Sequence, residues 1–240
     1  MPDEILISIV IPVKNEEETL PALAREIDAA FAGQSYAWEV VWVDDGSTDR
    51  SRELMKAQPK PHRWIGLDQN HGQSAAFAAG FRAARGTWVG TLDGDGQNDP
   101  VDLPRQLARG IEKGVDMVNG IRAKRQDSWF RKLSSKIGNG IRNAMTGNTV
   151  KDVGCSTRVV KRTAVLDLPF FHGMHRFLPT LVQMKGYTID EIPVNHRPRA
   201  GGASKYGLWN RAPSAARDLF GVRWLKLRNR NFRIADQGGA

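Results

Sequence analysis

Thr91-Leu92-Asp93-Gly94-Asp95-Gly96-Gln97-Asn98-Asp99-Pro100 is a stretch in which an apolar run ends abruptly in two carboxylates one residue apart. Trp88, Val89, Gly90, Thr91 and Leu92 read as a short central strand. Gly94 and Gly96 let the backbone after it turn tightly enough to aim hard oxygen ligands at one point. Asp93, Asp95 and the amide oxygen of Gln97 would then hold Mg²⁺ or Mn²⁺, ions whose octahedral shell is completed by water and substrate phosphates. An Asx-type turn carrying solvated acids is the commoner fate of an isolated Asp-Gly-Asp, so the surrounding chain decides between the two.

Two further β-branched runs end in the same way. Ile5 to Val13 runs into Lys14-Asn15-Glu16-Glu17, and Glu39 to Val43 runs into Asp44-Asp45-Gly46-Ser47-Thr48-Asp49. In an open α/β sheet the carboxyl ends of parallel neighbours converge on the ligand crevice, so three such endings imply one shared site. Thr19 to Phe31, Arg50 to Ala57 and Ser74 to Ala84 have helical composition and the length of crossovers. Neither Gly-x-Gly-x-x-Gly nor Gly-x-x-x-x-Gly-Lys-Ser/Thr follows the first run, which argues against dinucleotide oxidoreductases and P-loop phosphotransferases.

The ordered set IVIPVKNEE (9–17), VVWVDDGSTD (40–49), QNHGQSAAFAAG (69–80), TLDGDGQNDP (91–100), RQDSWFRKLSSKIGN (125–139), DVGCSTR (152–158) and HRPRAGGASKYG (196–207) resembles family 2 glycosyltransferases. Within them it is most similar to the polyprenyl-phosphate group, which includes dolichyl-phosphate mannose synthase and the undecaprenyl-phosphate sugar transferases. The resemblance runs from about Ser8 to about Gly207. It implies the A-type fold, a Rossmann-like mixed sheet with helices on both faces, for residues 1–207. Residues 208–240 would form a basic amphipathic tail that associates with membrane. Gly96 departs from the pattern, since relatives often carry a larger apolar residue there.

Carried over by position, the resemblance implies that Pro12, Asn15, Glu17 and Asp45 surround the nucleoside of a sugar nucleotide, taken as UDP-linked. Asp93 would approach its diphosphate. Asp45 would accept a hydrogen bond from a ring N–H. Its alternative is to cap the helix near Thr48, a duty that Asp49 or Ser47 could take instead, with Ser47 favoured. Asn70, Gly72 and Gly80 would pass beneath the nucleotide or simply allow close packing. Arg131, Ser135, Arg158, Arg199, Ser204 and Lys205 are the candidates for holding the acceptor phosphate, with Asp95, Arg199 and Lys205 carrying catalysis. His175 and Arg176 would touch the sugar or cap the helix that runs through Leu181.

A polyprenyl monophosphate is a nucleophile at neutral pH, since the second ionisation of a phosphomonoester lies near ~6. The tasks left are placement and charge neutralisation, and the resemblance implies inversion at the anomeric carbon. Glucose, mannose, galacturonate and an amino-arabinose derivative all fit, the last because RQDSWFRK and DVGC resemble the formamido-arabinose transferases. The alternatives are transfer to a saccharide or lipid-A-type acceptor, which would demand a base not evident near the metal motif, and a non-catalytic membrane-binding module.

Charge is segregated along the 240 residues. Residues 1–121 hold 12 Lys+Arg against 19 Asp+Glu and residues 122–240 hold 23 against 7, so the halves carry −7 and +16. Such asymmetry points to a polyanionic partner. Trp129, Phe130, Leu133, Ile137, Ile141 and Met145 are interleaved with Arg131, Lys132, Lys136 and Arg142, and Lys205 to Arg233 repeats the mixture with Asp218 as its one acid. Both stretches suit an interfacial position at a membrane, although one amphipathic stripe can equally face a core. A nucleic-acid partner is disfavoured, because no recognition-helix, RNP or zinc-finger pattern accompanies the charge. A single Cys155 suits a reducing compartment, and no apolar stretch of ~18 residues is present. The expectation is a cytoplasmic enzyme, peripheral at the inner face of the membrane. A second copy of the chain or a membrane protein would be its further partner.

Overall fold

The computed structural model describes residues 4–122, 149–198 and 208–229, together with residues 140, 145 and 147; the side chains of 208–216 lie outside it. Ile5–Val13 forms β1, with every residue from Ile7 onward buried. A strand covered on both faces needs apolar residues at nearly every position, and this run supplies them. β1 lies between two parallel neighbours, Ala37–Asp44 (β2) and Trp88–Thr91 (β4). His62–Gly66 (β3) extends the sheet beyond β2. On the other side Arg158–Lys161 (β6) runs antiparallel between β4 and Met117–Arg122 (β5), and Ile189–Val194 (β7) closes the order β3-β2-β1-β4-β6-β5-β7. The A-type fold expected from the sequence is therefore the one observed.

The period-two alternation of β1 divides the core. Ile7, Ile9, Ile11 and Val13 meet Leu20–Phe31 (α1) and Asp102–Lys113 (α4) on one face. Val10, with Val41 and Val43 of β2, meets Gln73–Ala83 (α3) on the other. That second layer continues through Arg162–Leu166 (α5), a 3₁₀ turn at Met174–Phe177, Leu178–Met184 (α6) and Leu208–Arg228 (α7), whose Val222 is fully buried in the same cluster. Ser51–Lys56 (α2) makes the short crossover from β2 to β3. Gly80 sets how closely α3 approaches the sheet, since a Cβ there would lie 2.2 Å from Val10 Cγ1. Gly80 therefore serves close packing of helix on sheet.

Buried polar groups pin the opposite end of the sheet. Glu39, 3% exposed, accepts from Ser8 Oγ at 2.7 Å, Arg63 Nε at 2.7 Å and the Arg85 N–H at 2.9 Å. Burial alone would push its pKa up, but the Arg63 and Ser8 donors and the Arg85 amide outweigh it and hold the carboxyl below its ordinary value. Such a group stabilises the fold above the unfolded-state pKa of ~4.3, and that contribution is lost as pH falls through the lowered folded value. Glu39→Ala leaves Arg63 without its carboxylate and should cost about 3 kcal/mol in urea denaturation at pH 7.

Candidate active site

Because β1, β2 and β4 are mutually parallel, Val13, Asp44 and Thr91 end at one edge of the sheet, as their common polar endings predicted. Two of the three loops are zipped together. Asn15 takes a left-handed backbone, φ 55°, a conformation that asparagine tolerates better than most residues. Its side-chain oxygen accepts the Thr48 N–H at 2.8 Å, and its own N–H donates to Ser47 Oγ at 3.1 Å. Glu17 accepts the Arg50 N–H at 3.0 Å and donates its own N–H to Asp49. Asp44, fully buried, accepts the Ser47 N–H and pairs with Arg52.

Asp45 is 4% exposed, and its oxygens accept the backbone N–H groups of His71 at 2.7 Å and Gly72 at 2.9 Å. It therefore fastens the turn before α3 and caps no helix. Gly72, at φ 87°, gives that turn a backbone that a side chain would strain. The capping duty assigned to Ser47 is corrected by the structure. Helix α2 begins at Ser51, Ser47 Oγ is engaged by Asn15, and Asp49 accepts the Ser51 N–H at 3.0 Å instead.

The third loop carries the two acids. The Asp93 N–H donates to Asn98 Oδ1 at 2.9 Å, and Asp93 Oδ1 accepts from Gln73 Nε2 at 2.7 Å. Asp95 accepts the Gln97 N–H at 3.2 Å, so the loop does contain an Asx-type turn. Gly96, at φ 71°, has open space where a Cβ would stand; conformation, not room, is what favours glycine there. The loop is then clamped from outside. Gln97 O accepts the Arg197 N–H at 2.8 Å, Gln97 Nε2 donates to Arg197 O at 3.3 Å, and Asn98 bridges to His196. Arg197 itself pairs with Glu26 at 2.8 Å and Asp99 at 3.0 Å.

Asp93 has a raised pKa. Burial is the largest cause and the neighbouring Asp95 carboxylate adds to it, against the partial relief of Ser156, Arg158 and Gln73. Two neighbouring carboxylates, one of them desolvated, are a donor set suited to a hard divalent cation. Asp93 and Asp95 would hold Mg²⁺ or Mn²⁺, with Gln97 adjoining. Among the described residues no group of three or more His, Cys, Asp or Glu side chains is gathered for a metal.

Arg158 is corrected as an acceptor-phosphate ligand. It is 3% exposed, and its guanidinium donates to Asn119 Oδ1 at 3.1 Å, Val153 O at 2.8 Å and His175 O at 3.3 Å. Burial draws its pKa down, against the pull of Cys155, Asp93 and Asp152, so it serves as a counter-charge beneath Asp93. His175 Nδ1 lies 2.7 Å from Ser74 Oγ, and Arg176 pairs with Asp218 at 3.8 Å. Both tie the 3₁₀ turn to its neighbours. Arg131, Ser135, Arg199, Ser204 and Lys205 lie outside the described residues.

Gln73, Asn98 and Ser156 were missed as site residues. Gln73 stands inside the QNHGQSAAFAAG motif, where the glycines drew the functional reading. Asp93→Asn should raise the melting temperature of the metal-free protein by about 2–4 °C, the equivalent of ~1 kcal/mol for a chain of this size, while abolishing the stabilisation that Mn²⁺ gives the wild type. The sign follows from the raised pKa. The metal-free fold loses this group's contribution as pH rises from the ordinary aspartate value through the raised one, and metal stabilisation is greatest above it. Thermal melts with and without Mn²⁺ across pH 4–8 would check both.

The model for glycosyl transferase family 2 matches residues 8–168. The chain belongs to that family. It is 40% identical over 206 residues to the undecaprenyl-phosphate 4-deoxy-4-formamido-L-arabinose transferase of Edwardsiella ictaluri, covering 84% of this chain and 63% of that protein. It therefore spans less than two thirds of that relative's length. Among solved structures, mannosyl-3-phosphoglycerate synthase from Rubrobacter xylanophilus superposes with a TM-score of 0.73 at 18% identity, over 96% of this chain and 77% of that one. Glucosyl-3-phosphoglycerate synthase from Mycobacterium tuberculosis, in complex with Mg²⁺ and uridine diphosphate, gives 0.70 at 15% identity, over 95% and 81%. These likenesses establish the fold.

Proposed function

We propose that this chain transfers a sugar, with inversion, from a UDP-linked donor to undecaprenyl phosphate at the inner face of the cell membrane, with Mg²⁺ or Mn²⁺ bound. The observation that carries this reading is the clamp between Gln97–Asn98 and His196–Arg197. It fixes Arg197, two positions before Arg199 in the chain, on the loop of Asp93 and Asp95, so a donor diphosphate and an acceptor phosphate would meet close to this contact. The name of the Edwardsiella relative and the uridine diphosphate and Mg²⁺ in the mycobacterial complex support the same choice of substrates.

In this reading the loops of Asn15, Glu17 and Asp45 hold the nucleoside, with Pro12 beneath them. Asp93 and Asp95 hold the cation, which when bound offsets the charge that builds on the departing diphosphate. Gln73 and Asn98 keep the Asp93 carboxylate and its backbone in place. Arg199, Ser204 and Lys205 orient the lipid phosphate, aided by Arg131 and Ser135. The acceptor is already ionised at neutral pH, so no side chain need remove a proton; in-line placement supplies most of the acceleration. Incubation of the protein with undecaprenyl phosphate and a panel of radiolabelled sugar nucleotides tests this. One donor should label an organic-extractable product, and absence of labelled lipid with every donor would contradict the reading.

A further inference from the structure

Two groups secure the Asp93 carboxylate, and one residue outside the loop holds them both. Gln73 Nε2 donates to Asp93 Oδ1 at 2.7 Å. The buried Arg158 guanidinium sets its positive charge against the same carboxylate. Gln73 opens α3 and Arg158 opens β6, elements far apart in the sequence. His175, in the 3₁₀ turn, reaches each of them. Its Nδ1 lies 2.7 Å from Ser74 Oγ, on the residue next to Gln73, and its carbonyl accepts from Arg158 Nη1 at 3.3 Å.

We propose that His175 is a positioning residue for the cation site: by fastening Ser74 and Arg158 at once, it holds Asp93 in the geometry that takes a divalent cation. The inference rests on the cation-bearing site of the preceding section and adds to it a residue that acts only through its neighbours. The start of α3 needs such a tether. The first N–H groups of a helix have no preceding turn to bond, and Gly72 at the cap makes no side-chain bond to them. Outside contacts hold this end instead. Asp45 accepts the Gly72 N–H at 2.9 Å, and Ser74 Oγ, 1% exposed, accepts the Gly173 N–H at 3.0 Å as well as meeting His175. A shift of this turn carries Gln73 with it, and with Gln73 the carboxylate that it holds.

The 3₁₀ turn is anchored in its own right. Met174 and Phe177 are buried in the core, and Arg176 pairs with Asp218 of α7 at 3.8 Å. A Cβ on Gly173 would lie 2.6 Å from Asp218 Oδ2, so the turn abuts that helix closely. The His175 ring also packs near Phe77 of α3, with centroids 6.5 Å apart. A residue kept for bulk alone would need only that ring contact. The polar contact to a buried hydroxyl is what separates the two roles, and it is the one the test removes.

Mn²⁺ titration of the full chain by calorimetry reads the effect, with the metal-free melt of each variant as the check on folding. His175→Leu should weaken Mn²⁺ binding about five- to tenfold, and Ser74→Ala should do the same by removing the other end of the contact. Ser74→Ala deletes a single oxygen and carries the test if the leucine variant does not fold. His175→Asn, whose amide can meet Ser74 Oγ as Nδ1 does, should bind Mn²⁺ within about twofold of wild type. Gln73→Ala combined with His175→Leu should lose less than the product of the two single losses, because one acts through the other. Equal losses in the leucine and asparagine variants would overturn the proposal, since the bulk of the ring would then be what matters. A wild type that bound no Mn²⁺ would remove the metal from the proposed reaction and this inference with it. Mn²⁺ binding by the wild type that neither His175→Leu nor Ser74→Ala disturbs would remove this inference alone.

Discussion

Asp95→Ala should lower sugar transfer about a thousandfold, ~4 kcal/mol of transition-state stabilisation, while leaving the fold intact. Asp95 sits in a partly exposed turn whose described contact is the Gln97 N–H, so little of the core depends on its carboxylate. In the proposed function, what depends on it is the cation. Asp93 is already braced by Gln73 and by the amide contact to Asn98, which leaves Asp95 the freer ligand to link metal and diphosphate. Steady-state turnover with saturating sugar nucleotide, beside Mn²⁺ binding by calorimetry, reads both effects. Full turnover in metal-depleted buffer would remove Asp95 from the catalytic account.

Arg199→Ala and Lys205→Ala should each depress kcat/KM for the lipid phosphate by about 30- to 1000-fold, or ~2–4 kcal/mol, with the dissociation constant for UDP nearly unchanged. The expectation follows from position in the chain. The segment leading to these residues is held on the Asp93–Asp99 loop through Arg197, and in the proposed function the cations that follow it would face the acceptor rather than the nucleoside. An interaction made with the acceptor appears in kcat/KM for that substrate and leaves the other untouched. A matching loss of UDP affinity would move both residues to the donor side.

Much of this arrangement was legible in the chain. The β-branched run Ile5–Val13 coincides with β1, and the run Glu39–Val43 lies within β2, because strands covered on both faces must be apolar almost throughout. The convergence of three loops followed from parallel topology alone. β6 was signalled only by the Asp152–Arg158 motif, which reads as a turn into a strand. Its four residues, Arg158 to Lys161, begin and end in cations, and a strand of that length has no periodicity to read. Arg158 illustrates the limit. An arginine in the DVGCSTR motif reads as a phosphate ligand, yet its acceptors come from Asn119, Val153 and His175, which only the fold brings together. Which face of α7 turns inward was not legible for a related reason, since an apolar stripe looks the same whatever covers it until the packing of Val222 marks the inner side.

The central claim is that a phosphate on the lipid is the nucleophile, held by cations beside a carboxylate-bound metal. Rates with undecaprenyl phosphate and with neutral undecaprenol, at equal concentration in the same vesicles and with one labelled sugar nucleotide, test it most directly. The account predicts labelled lipid from the phosphate alone, with no product from the alcohol and none after the divalent cation is chelated. Equal transfer to the alcohol, or transfer to a saccharide while the lipid phosphate is ignored, would contradict it.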